Sequence, residues 1–445
     1  MSPTTQTLHD LVESRDLDAI NDWLNEHGAL DVADELARLD PEQRAVPFRL
    51  LAKDRALAVF EALDPVHQSE LLDALRDERV GELFAGIDAD DRARLLDEVP
   101  AKVARRLLDG LDEERRRNTS ILLGYPEESA GRMMSPRFVN VRANHTAADA
   151  LAKVRRAGLR SREVLVLPVT DDERHLSGVV DLPDLVTAAP DVRVRDLVRP
   201  ETLSVRYDED QEVASRLIQQ ADLVALPVVD SEDRLVGVIT VDDAMEIIEE
   251  EETEDIHRSG GVEPITVPYM DAGVFHLARK RAVWLLVLIL AAISTVTVMD
   301  FFEESLEQVA VLAFFIPLLV DTGGNSGSQA ATVVIRAMAV GEVRFTDLPR
   351  ILSRELRVGV LLGLMLAAVG FPIVQLFYDA DFAIVVSTTL LVICTWASFA
   401  GGLLPLVAKR VGVDPAVVSA PVITTLVDAT GLIIYFLVAG AVFGL

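Results

Sequence analysis

Five apolar stretches, 282–300, 308–339, 355–378, 382–408 and 416–443, follow one another through the C-terminal part of the chain. Each is long enough as a helix to cross a bilayer core of about 30 Å, which takes roughly 20 residues. Few folds are open to such a chain, because every backbone amide inside a bilayer has to be satisfied without water. The charges between the stretches give an orientation. Arg279-Lys280-Arg281 precede the first, basic residues from Arg336 to Arg357 surround the loop between the second and third, and Lys409-Arg410 precede the fifth. The loops Asp300–Glu307 and Tyr378–Asp381 are acidic. Basic loops stay in the cytosol, so the N-terminal part is expected inside and the C-terminus outside. The polar start, Met1–Asp10, lacks the basic-then-apolar pattern of a secretory signal and agrees with that side.

Two features inside the stretches bear on function. The second holds Asp321-Thr322-Gly323-Gly324-Asn325-Ser326-Gly327-Ser328-Gln329, a polar, glycine-rich run predicted to break the helix and to face protein or water. Proline is predicted to interrupt four spans, at Pro317, Pro372, Pro405 and Pro421, each freeing a carbonyl one turn earlier. Asp428 lies midway along the fifth, and no cation in that stretch pairs with it. A carboxylate at that depth costs about 2.5–3.5 kcal/mol and by default marks a functional path. Thr424 and Ala420, one and two turns earlier, share its face.

A hard ion that dehydrates reluctantly, as Mg²⁺ does, suits a path of few carboxylates with hydroxyl and carbonyl oxygens. No His or Cys cluster points to a softer metal. The alternatives are a carrier of another divalent cation, Mn²⁺ or Co²⁺, or of another small solute. An anion path would want basic groups at depth, where the conspicuous charge is Asp428. An enzyme is not expected, since neither a His-Glu-x-x-His nor a Gly-x-Ser-x-Gly motif is present and only an Asp321–Asp428 dyad would offer hydrolytic chemistry.

Residues 1–281 are polar and acidic, and the whole chain carries a formal charge of −29. That excludes nucleic acid as a natural partner, because phosphate binding needs clustered Lys and Arg, and favours cations. Its single cysteine, Cys394, rules out an intrachain disulfide. Within the first 125 residues, Leu39-Asp40-Pro41-Glu42, Leu63-Asp64-Pro65-Val66, Ile87-Asp88-Ala89-Asp90 and Leu111-Asp112-Glu113-Glu114 recur every 24 residues. An Asp at the N-cap, then apolar residues at helical spacing, predicts stacked helical hairpins in a small solenoid.

From about Gly131 the pattern changes to short β-rich runs in two copies. Val164–Val169 and Ser177–Val180 form the first, Leu223–Val229 and Leu235–Thr240 the second, each with a Leu-Pro-Val strand end, a charged turn and a Gly in the second strand. At these residues the chain resembles a tandem pair of cystathionine-β-synthase (CBS) domains. Thr240 and Asp243 match the positions that contact nucleotide in that family, which makes ATP a candidate ligand, whereas Asp181 replaces the hydroxyl residue in the first copy.

The second copy runs into Asp242-Asp243-Ala244-Met245-Glu246-Ile247-Ile248-Glu249-Glu250-Glu251-Glu252-Thr253-Glu254-Asp255. Glu246, Glu250 and Glu254 share one helical face, as do Glu251 and Asp255. Like charges at that spacing cost about 0.2–0.5 kcal/mol per pair, so this helix needs a cation or a basic surface to hold it.

With these parts in this order the chain resembles, over nearly its whole length, the MgtE-type magnesium transporter family. The specific motifs are Thr322–Gln329 and Val413-Asp414-Pro415 followed by Thr425–Gly431. The resemblance implies a multidomain membrane protein: an all-α helical N domain at 1–125, an α+β CBS tandem at 126–190 and 191–245, an acidic connecting plug helix at 246–281, and an all-α five-helix pore domain at 282–445. It implies a homodimer in the cell membrane that passes Mg²⁺ through a central pore. Asp428 matches the family's pore carboxylate, with Thr424, Ala420 and Asn325 as neighbouring pore residues. Asp91, Asp243, Glu246, Glu251, Glu254 and Asp255 match the carboxylates that bind regulatory Mg²⁺ and close the pore. Another such acid falls on Arg94 here.

Overall fold

The computed structural model describes residues 7–75, 77–158, 164–199, 201–270 and 272–444. Met1–Gln6 of the polar start therefore lie outside the described residues. The chain forms two compact units that divide between Glu250 and Glu251.

The first unit opens with ten helices among the described residues, from Leu8–Ser14 to Glu113–Leu122. Each packs on the second helix along. Pro41–Leu50 lies on Pro65–Ala74, which lies on Ala89–Glu98, which lies on Glu113–Leu122, while Ala29–Ala37, Lys53–Glu61 and Asp77–Gly86 form the other row. The solenoid expected from the repeat is present, and its four Asp residues do sit at N-caps. Of these, Asp64 and Asp112 accept backbone N–H bonds through their side chains.

A second device recurs at the same period and was not anticipated. Arg44, Gln68, Arg92 and Arg116, also 24 residues apart, each donate to the carbonyl five residues earlier: Leu39, Leu63, Ile87 and Leu111. Those carbonyls lie where one helix turns into the next and have no helical donor. Arg44 is only 1% exposed and reaches the Leu36 carbonyl at 2.9 Å as well. One polar side chain per repeat thus serves each turn, buried at Arg44, Gln68 and Arg92 and exposed at Arg116.

Both CBS copies fold on the same pattern. In the first, Val166–Thr170 pairs antiparallel with Leu176–Asp181; in the second, Ala225–Val229 pairs antiparallel with Leu235–Thr240, and Val205–Arg206 adds a parallel strand. The registers repeat residue for residue, Pro168 opposite Val179 and Pro227 opposite Val238, with an irregularity one step further in each. Val166, Val179, Ala225 and Val238 pack together, so the two copies share a core. Thr240 ends the last strand and the chain turns directly into one helix, Val241–Ser259. The acidic helix expected from 246 therefore begins at Val241, as a continuation of the second copy.

The second unit carries five helices long and apolar enough to span a membrane: Val274–Phe301, Ala310–Ala339, Phe345–Phe377, Ala380–Arg410 and Ala420–Phe443. The fourth packs along the third and the second, and the fifth packs on the second, fourth and first. The first has no fully buried side chain, although Val298 packs partly against the core of this unit.

Two expectations are corrected here. The Thr322–Gln329 run does not break the second span, because Ile316–Ala339 is continuous α-helix. Its glycines allow close approach instead: a Cβ on Gly323 would lie 2.4 Å from Ile393 and 2.9 Å from Val427, and one on Gly401 only 2.2 Å from the Gly327 carbonyl. Small residues let helices meet where no hydrophobic force drives them together. Nor do all four prolines interrupt their spans. Pro317 and Pro421 stand in the first turn of their α-helices, where the missing N–H would have had no partner, and only Pro372 and Pro405 lie inside.

Candidate functional site

In the second unit the fifth span starts at Ala420, behind the buried N-cap Ser419. Thr424 and Asp428 follow at one-turn intervals, and all three are half-buried. The Thr424 hydroxyl donates back to the Pro421 carbonyl at 2.9 Å, and Thr425 does the same at 2.8 Å. Their protons are thus spoken for, and their oxygens present lone pairs. Among the described residues the Asp428 carboxylate has no hydrogen bond or ion pair. Asn325 is exposed on the second span and likewise unbonded. Ser328 donates to the Ala420 carbonyl at 3.4 Å, so Asn325, Thr424 and Ala420 come from two helices in direct contact.

Within this unit, the part of the acidic helix from Glu251 onward is tied down near the start of the fifth span. Arg258 pairs with Glu254 one turn earlier and with Asp414 of the Val-Asp-Pro motif, and Arg336 donates to Glu252 at 3.3 Å. Gly261, in the turn that follows, packs against Pro421. Glu251 and Asp255 are half-buried on the same helix. Sequence reading missed the Arg258–Asp414 pair; the only sign was a lone arginine at the end of an acidic run.

The first unit brings Asp91 and Asp243 together, from the helix Ala89–Glu98 and the start of Val241–Ser259. Burial, with Glu246, Asp88 and Glu61 nearby, pushes Asp91 up to about 6 against the opposing pull of Arg94. Burial pushes Asp243 up to about 7, although Thr240 donates to it from its hydroxyl at 2.7 Å and its amide at 3.2 Å. Asp90 was not singled out by sequence, since an acid in the first turn of a helix reads as a dipole partner. It is 6% exposed, one of its oxygens is buried without a partner, and burial with the charges of Asp243, Asp91 and Asp88 holds its carboxyl well above the usual range.

Glu246 is brought to this surface but is already occupied. Arg94 donates to it at 2.6 Å and pairs with Glu250 as well. Among the described residues no three His, Cys, Asp or Glu side chains converge tightly enough to grip a bare metal ion.

Comparison with known proteins covers both units. The model of a divalent cation transporter family, MgtE, matches 316–438; that of the MgtE intracellular N domain matches 28–128; CBS domain models match 130–191 and 194–250. The chain is 41% identical over 331 residues to a magnesium transporter MgtE of Thermus thermophilus, covering 74% of this chain and 73% of that relative. It is 32% identical to the Bacillus subtilis magnesium transporter MgtE, covering 72% and 71%. A crystal structure of the cytosolic domain of the Mg²⁺ channel MgtE in complex with ATP matches 54% of this chain and 98% of its own length, at 34% identity and a TM-score of 0.51.

Proposed function

Since the chain belongs to the MgtE family of divalent cation transporters, we propose that it carries Mg²⁺ across the cell membrane, down its electrochemical gradient, and that cytosolic Mg²⁺ closes the path. The observation that carries the reading is Asp428, a carboxylate midway along a membrane helix with no protein partner among the described residues. Such a group is expensive in hydrocarbon, and a hydrated dication accepted through its waters offsets that cost. The Thr424 oxygen one turn below extends the row of acceptors, and Ala420 lies a further turn along the same face, with Asn325 opposite. The relatives are named as magnesium transporters, which favours Mg²⁺ over Mn²⁺ or Co²⁺. A homodimer would set two copies of this row around one axis, and basic loops on one side put the first unit in the cytosol and the C-terminus outside.

Closure follows from the acidic residues. Asp90, Asp91 and Asp243 repel one another at a buried contact, and Glu251, Glu254 and Asp255 crowd the same helix further on. Mg²⁺ among these carboxylates lowers the repulsion and favours the assembled, closed form, so the transported ion inhibits its own entry. ATP is bound by a related cytosolic domain. In this chain Thr240 and Asp243 are hydrogen-bonded to each other, so a nucleotide would have to separate them.

The test is Mg²⁺ uptake into liposomes holding the wild type or Asp428→Ala, with Mn²⁺, Co²⁺ and Ca²⁺ as competitors. Uptake by the wild type and near-complete loss in the variant is the expected result. Equal uptake by both removes Asp428 from the mechanism.

A further inference from the structure

The second and fifth spans run antiparallel in a register that their contacts define. A Cβ on Gly327 would meet Ile423 at 2.8 Å, one on Gly324 would meet Thr424 at 3.0 Å, and one on Gly323 would meet Val427 at 2.9 Å. Ser328 bonds the Ala420 carbonyl. Each step back along the second span is thus matched by an equal step forward along the fifth. The next positions in this register set Asn325 level with Thr424 and Asp321 level with Asp428.

The surrounding hydroxyls are bonded to their own helices: Thr322 to the Leu318 carbonyl at 2.7 Å, Thr332 to Ser328 at 2.9 Å, Thr430 to Leu426 at 2.8 Å. Asp321, Asn325 and Asp428 are not. Among the described residues none of the three side chains has a hydrogen bond or an ion pair. Asp321 and Asn325 are exposed and one turn apart, so they lie on one face of the helix. A second charge at this depth, beside a first that repels it, has no structural use and a double cost.

We propose that Asp321 is a second ion-facing carboxylate of the path, set level with Asp428, and that the pair gives the path its preference for doubly charged over singly charged cations. This rests on the transport reading above. Each carboxylate attracts a dication about twice as strongly as a monovalent ion at the same distance, so a second one widens the energy gap between the two. The two carboxylates also raise the dication's local concentration, so removing one weakens capture more than it slows movement at saturation. The sign in the sequence was the i, i+4 spacing of Asp321 and Asn325, but only the register shows which residues of the fifth span they meet.

Full-length protein in liposomes tests this, with Asp321→Asn, Asp321→Glu and Asp428→Asn compared for Mg²⁺ and Na⁺ entry. The expected result for Asp321→Asn is a roughly tenfold fall in Mg²⁺ entry at low Mg²⁺, a smaller fall at saturation, and a lower ratio of Mg²⁺ to Na⁺ entry. Asp321→Glu, which keeps the charge, should retain the wild-type ratio. Wild-type Mg²⁺ entry and ratio in Asp321→Asn, alongside loss in Asp428→Asn, overturns the proposal and leaves the transport reading standing. Loss in both Asp321 variants together with a lowered thermal midpoint assigns Asp321 to folding and also overturns it. A wild type that carries no Mg²⁺ defeats the transport reading itself.

Discussion

Arg94, on the helix Ala89–Glu98, donates to the carboxylate of Glu246 at 2.6 Å across 152 residues of sequence, and pairs with Glu250 one turn further along the same partner helix. An arginine thus supplies, permanently tethered, the positive charge that this acidic helix needs. Among the described residues the neighbouring Asp90, Asp91 and Asp243 make no ion pair, although Arg94 lies near enough to Asp91 to pull on its proton, so this part of the surface is less fully neutralised by the protein.

Arg94→Gln removes the tethered charge. Pairs this exposed contribute about 1 kcal/mol together, a roughly fivefold change in a two-state balance. Mg²⁺ entry at an internal Mg²⁺ that mostly closes the wild type is expected to rise by about that factor, because the closed form loses its ion-independent support. Unchanged entry would separate the pair from gating.

Glu251→Gln combined with Glu254→Gln lowers the charge of the acidic helix where Arg258 holds it. The double variant is expected to keep transporting when internal Mg²⁺ is high enough to silence the wild type. Flux traces at stepped internal Mg²⁺ decide this, and inhibition at the wild-type concentration counts against the switch.

Asp91 and Asp243 take up protons at about 6 and about 7 in the folded protein, against about 3.9 for an unfolded chain. Between those limits the folded form binds more protons, so stability falls as pH rises from about 4 to about 7 and the full repulsion is present above that. Without divalent ions, the detergent-solubilised protein should melt at a higher temperature at pH 5 than at pH 8. Asp91→Asn with Asp243→Asn should flatten that difference, and excess Mg²⁺ should reduce it at pH 8. A profile identical in wild type and double variant would place the pH response elsewhere.

Gly323→Ala puts a methyl group against Ile393 and Val427. Overpacking of this kind costs about 1–3 kcal/mol, and the thermal midpoint should drop with Mg²⁺ entry. Adding Ile393→Ala makes room for the methyl group, so the double variant should lose less than the two single losses combined. Strict additivity would mean the two residues do not touch.

Gln68→Leu leaves the Leu63 carbonyl buried without its donor and the Phe60 carbonyl with only its backbone donor, the Leu63 N–H at 3.2 Å. Each such loss costs about 1–3 kcal/mol, so the solenoid should melt earlier while transport at moderate temperature persists. Hydrogen exchange of the backbone around 60–70 reads the loss directly, and unaltered protection there would show that water serves those carbonyls equally well.

Much of this protein was legible in its sequence because the signals are local. A 24-residue period, two copies of a strand pair and five apolar stretches each depend on neighbours within a few turns, and each appears where expected. The position of Asp428 as a lone charge in an apolar run could be read the same way, since it needs no partner to be seen. The tertiary structure decided everything that depends on which surfaces meet. The glycines of the second span are spacers in an unbroken helix rather than a break, because Ile393 and Val427 lie against them. Asp90 became a buried acid, and Arg94 a bridge to Glu246, only when helices far apart in the chain were packed together. Charge and periodicity are properties of a residue and its near neighbours, whereas burial, register and ion pairing belong to pairs of surfaces. No single stretch of the chain carries that information.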